Sequence, residues 1–343
     1  MKRPTIRDVA ARAGVSHQTI SRVINGRDSV AASTRERVLR AIQELEYVPN
    51  PLARGLSSDR THTLGMVTAD VSDYFFAQAV AGAEAEAREH GLLLVVASVD
   101  IAAGGDEQGY LRMMLERRVD GLVLAQAILG KGTGELLTSL AKRLPLVVMS
   151  ARLHLPGVDA VDVDNRQGGL DATTFLIQQG HRAIATITGP LGWPSARDRL
   201  ASYRTALRRA GLKADPALTE RCRDWGPESG RAATARLLEA GVPFTAIFAQ
   251  SDLLALGAIA ELRARGLRVP EDCSVVGYDD IPVATFVDPP LTTIRQPMRE
   301  VGAKAVDVLL DKIAATRSRV SSRPTRPLLR AELVVRQSVA PPS

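Results

Sequence analysis

Residues 5–56 read TIRDVAARAGVSHQTISRVINGRDSVAASTRERVLRAIQELEYVPNPLARGL. Thr5 and Asp8 stand at capping-box spacing: the hydroxyl can accept from an orphan N–H and the carboxylate favours the positive end of a helix. A helix is expected over 6–13, with Val9, Ala10 and Ala13 on one face. Gly14 follows where a left-handed cap is wanted, Val15 plugs the turn, and Ser16 can cap a second helix over 17–24, which Asn25-Gly26 ends. A third helix is expected to open at Ser33 with Glu36 in the box position, turning Val38, Ala41, Ile42 and Leu45 inward. Three short helices then share one small core, an all-α helix-turn-helix head.

If Ile20 and Val23 face that core, His17, Gln18, Ser21 and Arg22 face outward. Arg pairs bidentately with guanine and Gln with adenine in a major groove, so these four are candidate base readers. Thr5, Ser16, Thr19 and Asn25 suit phosphate oxygens. Taken alone, such a face reads equally well as ordinary solvated helix. Charge decides between the two readings. Residues 1–60 hold 11 Lys and Arg against 6 Asp and Glu, a difference of +5, whereas the whole chain holds 44 against 38, or +6. Nearly all the net positive charge sits on the head, which points to one nucleic-acid face and away from a diffuse polyanion binder.

Pro49-Asn50-Pro51-Leu52-Ala53-Arg54-Gly55-Leu56 extends that reading. Asn50 is a good N-cap and Pro51 fits the first helical position, but only about seven residues remain, so the helix is marginal alone and should order against DNA or a second copy. Leu56 is its exposed apolar residue, suited to insertion in a minor groove, with Arg54 beside it for phosphate or groove contact.

From Thr63 onward, apolar runs of strand length (LGMVTA, LLLVVASV, GLVLAQ, LPLVVMS) alternate with amphipathic helix-length stretches. After Val161 the pattern restarts: a helix over 168–179, AIATITG, helices over 196–210 and 230–240, AIFAQS, a helix over 252–265, and SVVGYDD. Such alternation implies doubly wound parallel sheets covered on both faces, here as two lobes with a ligand cleft between them. Cys222 and Cys273 are too few for a disulfide framework or a zinc site. MKRPTIRDVA has no apolar signal core, and no run of about eighteen apolar residues occurs. A cytoplasmic protein is expected, with no membrane partner. An enzyme of sugar or nucleoside metabolism is the distant alternative: no G-x-G-x-x-G follows the first strand, and neither a G-x-x-x-x-G-K-[ST] loop nor a G-x-S-x-G elbow appears. The five His stand in no metal-ligand pair, so neither catalytic residues, metal nor cofactor are expected.

The stretch from Thr5 to Ser58 resembles, without gaps, the DNA-binding head and hinge of the lactose/galactose repressor family of bacterial transcription regulators. VDVDNRQGG, SARDRLASYRTAL, SDLLALGA and CSVVGYDDIPVATFVDPPLTTIRQP resemble that family's effector-binding core, which is similar to periplasmic sugar-binding proteins. The resemblance implies a helix-turn-helix domain over 1–48 and a hinge helix and linker over 49–61. It implies an N-terminal lobe over 62–162 and 292–320 and a C-terminal lobe over 163–291 and 321–340. The chain should cross between lobes near 161, 290–293 and 318–324.

The resemblance further implies a nucleoid-associated homodimer on a pseudo-palindromic, double-stranded operator, His17, Gln18 and Arg22 at base-reading positions, and Leu56 as the intercalating leucine. Arg199 and Asp279 stand where a guanidinium and a carboxylate hold ligand hydroxyls. Ser251 replaces an asparagine of some members, and Ser150 a sugar-contacting carboxylate. Trp225 and Phe75 or Phe76 could stack on a sugar ring, one of the two phenylalanines being equally well core packing. Asp164 is either a ligand contact or, like Asp252, a helix cap. The protein is expected to be a ligand-responsive repressor of carbohydrate-utilisation genes whose effector is a sugar or sugar derivative, with the direction of the response open; a regulator needing a nucleobase or nucleoside as co-repressor is the alternative. ELVVRQSVAPPS shows no leucine-heptad tail, so a dimer is expected.

Overall fold

The capping box forms as its spacing demands. In the computed structural model, the Asp8 N–H donates to the Thr5 hydroxyl and the Thr5 N–H to the Asp8 carboxylate at 2.7 Å. They open α1 (Ile6–Ala13), and Gly14, at φ 63°, closes it. Ser16 Oγ accepts the Thr19 N–H at the start of α2 (His17–Ile24). The structure describes residues 4–24, 30–47, 60–99, 104–125, 132–150, 155–318 and 323–342. Asn25, Arg54 and Leu56, with nearly all of the expected hinge, lie outside these residues.

One head expectation is corrected. α3 (Ala32–Glu44) begins one residue before Ser33, and its cap, Ala31, makes no side-chain bond. Val30, just ahead of the helix, packs on the head core. Ser33 therefore falls in the first turn, where its hydroxyl cannot act as an N-cap. Val9, Ala10, Ala13, Ile20, Val23, Val38 and Ala41 form the core, flanked by Ile42 and Leu45. An Arg12–Glu44 ion pair at 2.6 Å links α1 to α3.

Residues 1–62 and 63–343 are separate units. The second alternates strand and helix: β1 (Thr63–Thr68), α4 (Tyr74–Glu89), β2 (Leu93–Ser98), α5 (Glu107–Glu116), β3 (Gly121–Ala125), α6 (Thr133–Leu140), β4 (Leu146–Val148) and β5 (Asp159–Ala160). The order β2-β1-β3-β4-β5 is parallel throughout. β6 (Asp162–Val163) leads into α7 (Asn165–Gln178), β7 (Ile184–Thr188), α8 (Pro194–Arg209), β8 (Thr219–Arg221), α9 (Pro227–Glu239), β9 (Ala246–Ala249), α10 (Asp252–Ala264) and β10 (Ser274–Val276). The second sheet, β10-β9-β7-β8, is also parallel. The central strands of both sheets are buried along their length, the condition of a parallel sheet covered on both faces.

Two elements differ from the pattern reading. β8 is a short edge strand of sequence Thr-Glu-Arg, with no apolar alternation to announce it. α7 starts at Asn165, three residues ahead of the expected 168, because Asp164 accepts the Gln167 N–H and caps it. Gly168 and Gly169 lie inside this helix as packing residues. A Cβ at Gly168 would stand 2.2 Å from the Tyr278 hydroxyl, and one at Gly169 would stand 3.0 Å from the Arg199 backbone.

The chain passes between the sheets on three neighbouring segments. β6 pairs with β12 (Leu328–Leu329), and β11 (Thr293–Arg295) pairs antiparallel with β13 (Glu332–Val334). The third passage runs beside the first over 325–329, past the expected 318–324: Ala160 N–H donates to Thr325 O and Asp164 N–H to Leu329 O. After β11, α11 (Met298–Arg317) returns to pack against α4.

Candidate functional site

In the head, His17, Gln18 and Arg22 are exposed on α2 while Ile20 and Val23 are buried beneath them. Ser21 is half-buried and already has a partner. Thr5 and Ser16 are exposed, but their hydroxyls serve the capping bonds described above, and Thr19 Oγ1 lies 3.0 Å from Ser16 Oγ. The face thus offers a guanidinium, an amide and an imidazole on one short helix, the donor and acceptor set that reads base edges.

In the α/β unit, the loops leaving the carboxyl ends of β1, β7, β9 and β10 converge on a cavity of about 300 Å³, the place where open α/β sheets bind ligands. Arg199 on α8 is its centre. It is 3 % exposed, its Nε donates to Asn165 Oδ1 at 2.9 Å and its Nη1 to the Gln250 carbonyl at 2.5 Å. Its guanidinium carbon lies 3.6 Å from the Tyr278 ring centre and 5.6 Å from that of Trp225. Two of its five donors hold it in place, and others remain for a ligand. Aromatic faces favour this cation once water is excluded.

Asp279 faces Arg199, with Oδ1 and Nη1 4.0 Å apart. Its backbone sits at φ 126° and that of Asp280 at 57°, conformations that strain an L-residue. The surroundings hold this loop: Asp279 N–H donates to Ile294 O, and Gln296 Nε2 donates to Asp279 Oδ1. Asp280 accepts from Arg295 and Arg336. Burial pushes the Asp279 carboxyl well above the usual carboxylate range, against the pull of Arg199 and with Asp252 adding to the rise. Asp252 is wholly buried, accepting from the Thr293 hydroxyl and the Ile281 N–H, and burial lifts it to about 6. It ties α10 to β11, one of the segments joining the two sheets.

An aromatic row walls the other side. Phe75 and Phe76 meet edge to face at 5.2 Å, Trp193 lies 6.3 Å from Phe76, and Trp225 stands perpendicular to Trp193 at 6.0 Å. A Cβ at Gly189 would reach within 2.3 Å of the Trp225 ring, so this glycine makes room for it. Phe75 and Phe76 both line the cavity; Phe75 also packs on the core, and Phe76 is buried.

The remaining expected contacts divide. Ser251 lines the cavity but also caps α10, accepting the Leu254 N–H and donating to Trp225 O. Ser150 sits deeper, on an adjoining cavity of about 50 Å³ together with Asn165 and Arg199. Asp164 is spent on its helix cap and is absent from the lining of either cavity. Trp193, Asn165, Gln296, Asp73 and Ser195 line these cavities without having been singled out from sequence. Trp193 could have been found, since it follows an apolar strand and precedes the helix of Arg199.

A helix-turn-helix head joined to an α/β unit with a polar and aromatic cleft defines a class, the DNA-binding regulator with a small-molecule effector site. Residues 5–50 match the model of the bacterial regulatory proteins of the lacI family, and 173–339 match a periplasmic binding protein-like domain. The chain is 36 % identical over 339 residues to the HTH-type transcriptional repressor CytR of Escherichia coli K12, covering 97 % of this chain and 96 % of that protein. It resembles the solved complex of transcriptional regulator CelR with cellobiose at 38 % identity and TM-score 0.72, covering 98 % of this chain and 100 % of that one. It also resembles the Lac repressor dimer bound to operator and the anti-inducer ONPF at 32 % identity and TM-score 0.87, covering 99 % and 100 %. The chain belongs to the lacI family of bacterial transcriptional regulators. No described helix is long and apolar enough to cross a membrane.

Proposed function

We propose that the protein is a cytoplasmic repressor, acting as a homodimer on a pseudo-palindromic operator and released by a carbohydrate effector. The observation that carries the effector class is the Phe76, Trp193 and Trp225 row facing Arg199 and Asp279 across one cavity. Flat rings suit the C–H face of a pyranose, while a guanidinium fork and a carboxylate suit neighbouring hydroxyls. The bound sugar in the CelR complex and the lactose-type repressor likeness agree with this reading.

For the homodimer, edge strand β2 turns Leu93, Val95 and Val96 to solvent, and Tyr110 and Met113 of α5 are also exposed. An apolar sheet edge of this kind calls for a partner, and a two-fold protein matches a two-fold operator. Under this reading His17, Gln18, Ser21 and Arg22 read bases, Thr5, Ser16, Thr19, Asn25 and Arg54 contact backbone, and Leu56 inserts in the minor groove.

Ligand and operator are then reciprocally coupled, so a sugar that weakens operator affinity is itself weakened by operator. The test is a binding selection on genome fragments at about 150 mM salt, a condition that suppresses non-specific phosphate binding. Enrichment of a short palindrome, lost on addition of one sugar, is the expected result. Uniform recovery of fragments, with and without metabolites, would remove the sequence-reading role.

A further inference from the structure

Where α4 ends beside α11, Glu86, His90 and Asp307 come together, with their ligand atoms all within 4.8 Å of one another. Glu86 lies in the last turn of α4, His90 follows that helix as its cap, and Asp307 lies midway along α11. His90 is exposed and both carboxylates are half-buried, so an ion from solvent can reach all three. We infer that Glu86, His90 and Asp307 form a site for one divalent transition-metal ion of the zinc class, clamping the end of α4 to α11. Sequence spacing does not announce this set, because Asp307 belongs to a distant helix.

Three features carry the inference. The first is distance. Glu86 and His90 stand four residues apart, on one face of the helix end, with Oε1 3.1 Å from the imidazole Nε2. A tetrahedral zinc with bonds of about 2.1 Å separates its ligand atoms by about 3.4 Å, so this pair already has the required gap and Asp307 has only to rotate toward it. The second is rigidity. A Cβ at Gly82 would lie 1.8 Å from Arg299 O, and one at Gly302 would lie 1.9 Å from Ala79 O, so the two helices touch backbone to backbone just before the cluster. Ala87, next to Glu86, and Val306, next to Asp307, are wholly buried. Core packing therefore fixes the backbones that carry the ligands, and the ion need not assemble them. The third is donor chemistry. Glu86 and His90 alone would be an ordinary surface pair; a second carboxylate, delivered by another helix, makes up three protein ligands, with water completing the shell. An imidazole among them suits zinc, nickel or cobalt, whereas magnesium and calcium take oxygen ligands. Lys304 Nζ lies 3.3 Å from Asp307 Oδ2, but this exposed ion pair contributes little and yields to a divalent ion.

The test uses the full chain after treatment with a chelator. Zinc chloride is titrated by calorimetry and cobalt chloride by visible absorption, which reports the ligand field directly. One ion per chain is expected, with a rise in Tm because the assembled site exists only in the folded state, and magnesium should not compete. His90→Ala and Asp307→Asn, on separate elements, should each weaken zinc binding about tenfold or more and abolish the rise in Tm. Both side chains reach solvent, so the Tm without metal should stay near that of the unmodified protein. Absence of zinc binding in the unmodified protein would overturn the site. Unchanged affinity in either variant would place the ion elsewhere and overturn the assignment. Displacement of zinc by an equal concentration of magnesium would reduce the cluster to an unselective acidic surface and overturn the metal class.

Discussion

Arg199 shows how much one side chain's surroundings determine. The same guanidinium on an exposed helix face would be ordinary, but here it is buried, anchored by Asn165 and Gln250, and stacked on Tyr278. Arg199→Ala should weaken effector binding by about 1.5–3 kcal/mol, the range for hydrogen bonds made by a charged group. Operator binding should survive, as fluorescence anisotropy would read. A variant still released by effector at the original concentration would place the ligand elsewhere. Asp252 makes a second residue-level prediction. Its carboxyl lies at about 6 in the folded chain against an ordinary 3.8, so the folded state holds the proton between those values. Its contribution to stability is greatest below about pH 3.8 and is lost as pH rises through about 6. Asp252→Asn preserves shape and can still accept from Ile281 while donating to Thr293. Relative to the unmodified protein, the variant should gain up to about 3 kcal/mol between pH 4 and pH 7 in urea titrations. A difference independent of pH would show that Asp252 is ionised throughout.

At the scale of elements, the pair formed by α4 and α11 shows why small residues stand where they do. A Cβ at Gly82 would lie 1.8 Å from Arg299 O, and one at Gly302 would lie 1.9 Å from Ala79 O. The helices therefore approach backbone to backbone, and neither carbonyl can retreat without parting them. Gly302→Ala should destabilise the α/β unit by about 1–3 kcal/mol through overpacking, despite the better helix propensity of alanine. A lowered Tm, about 2–4 °C for each kcal/mol, is the expected signal; an unchanged or raised Tm would contradict the close approach. The edge of the first sheet makes the complementary case. Leu93 is 62 % exposed, so Leu93→Asp leaves the core intact while placing charge on the apolar edge. Sedimentation should show monomers, with operator affinity reduced about tenfold or more as the paired heads separate. A variant that remains dimeric would move the interface off β2.

For the molecule as a whole, the legible part was the repeating part. Capping residues, helical periodicity in 6–24 and apolar strand runs are local signals, each set by chemistry within a turn or two of the chain. They located the head and most strands of both sheets. The reading failed where a distant contact outvoted the local signal. β8 is polar and is a strand because β7 pairs with it. One boundary moved for a local reason: the helix expected from 168 starts at Asn165, because the Asp164 carboxylate accepts the Gln167 N–H and caps it.

The site divides along the same line. Arg199 and Asp279 were visible because they stand in short motifs that resemble a known family. Trp193, Asn165 and Gln296 were not, since each gains its role from partners on other elements: Phe76 and Trp225, Arg199, and Asp279 in turn. By itself the sequence determined the class of partner, through charge gathered on one head, and the layered α/β architecture, through hydrophobic period. Only the tertiary structure decided which aromatic rings share a wall with Arg199, and that Asp307 comes beside Glu86 and His90. Those facts depend on elements far apart in sequence meeting in space, and no local energy term along the chain records such a meeting.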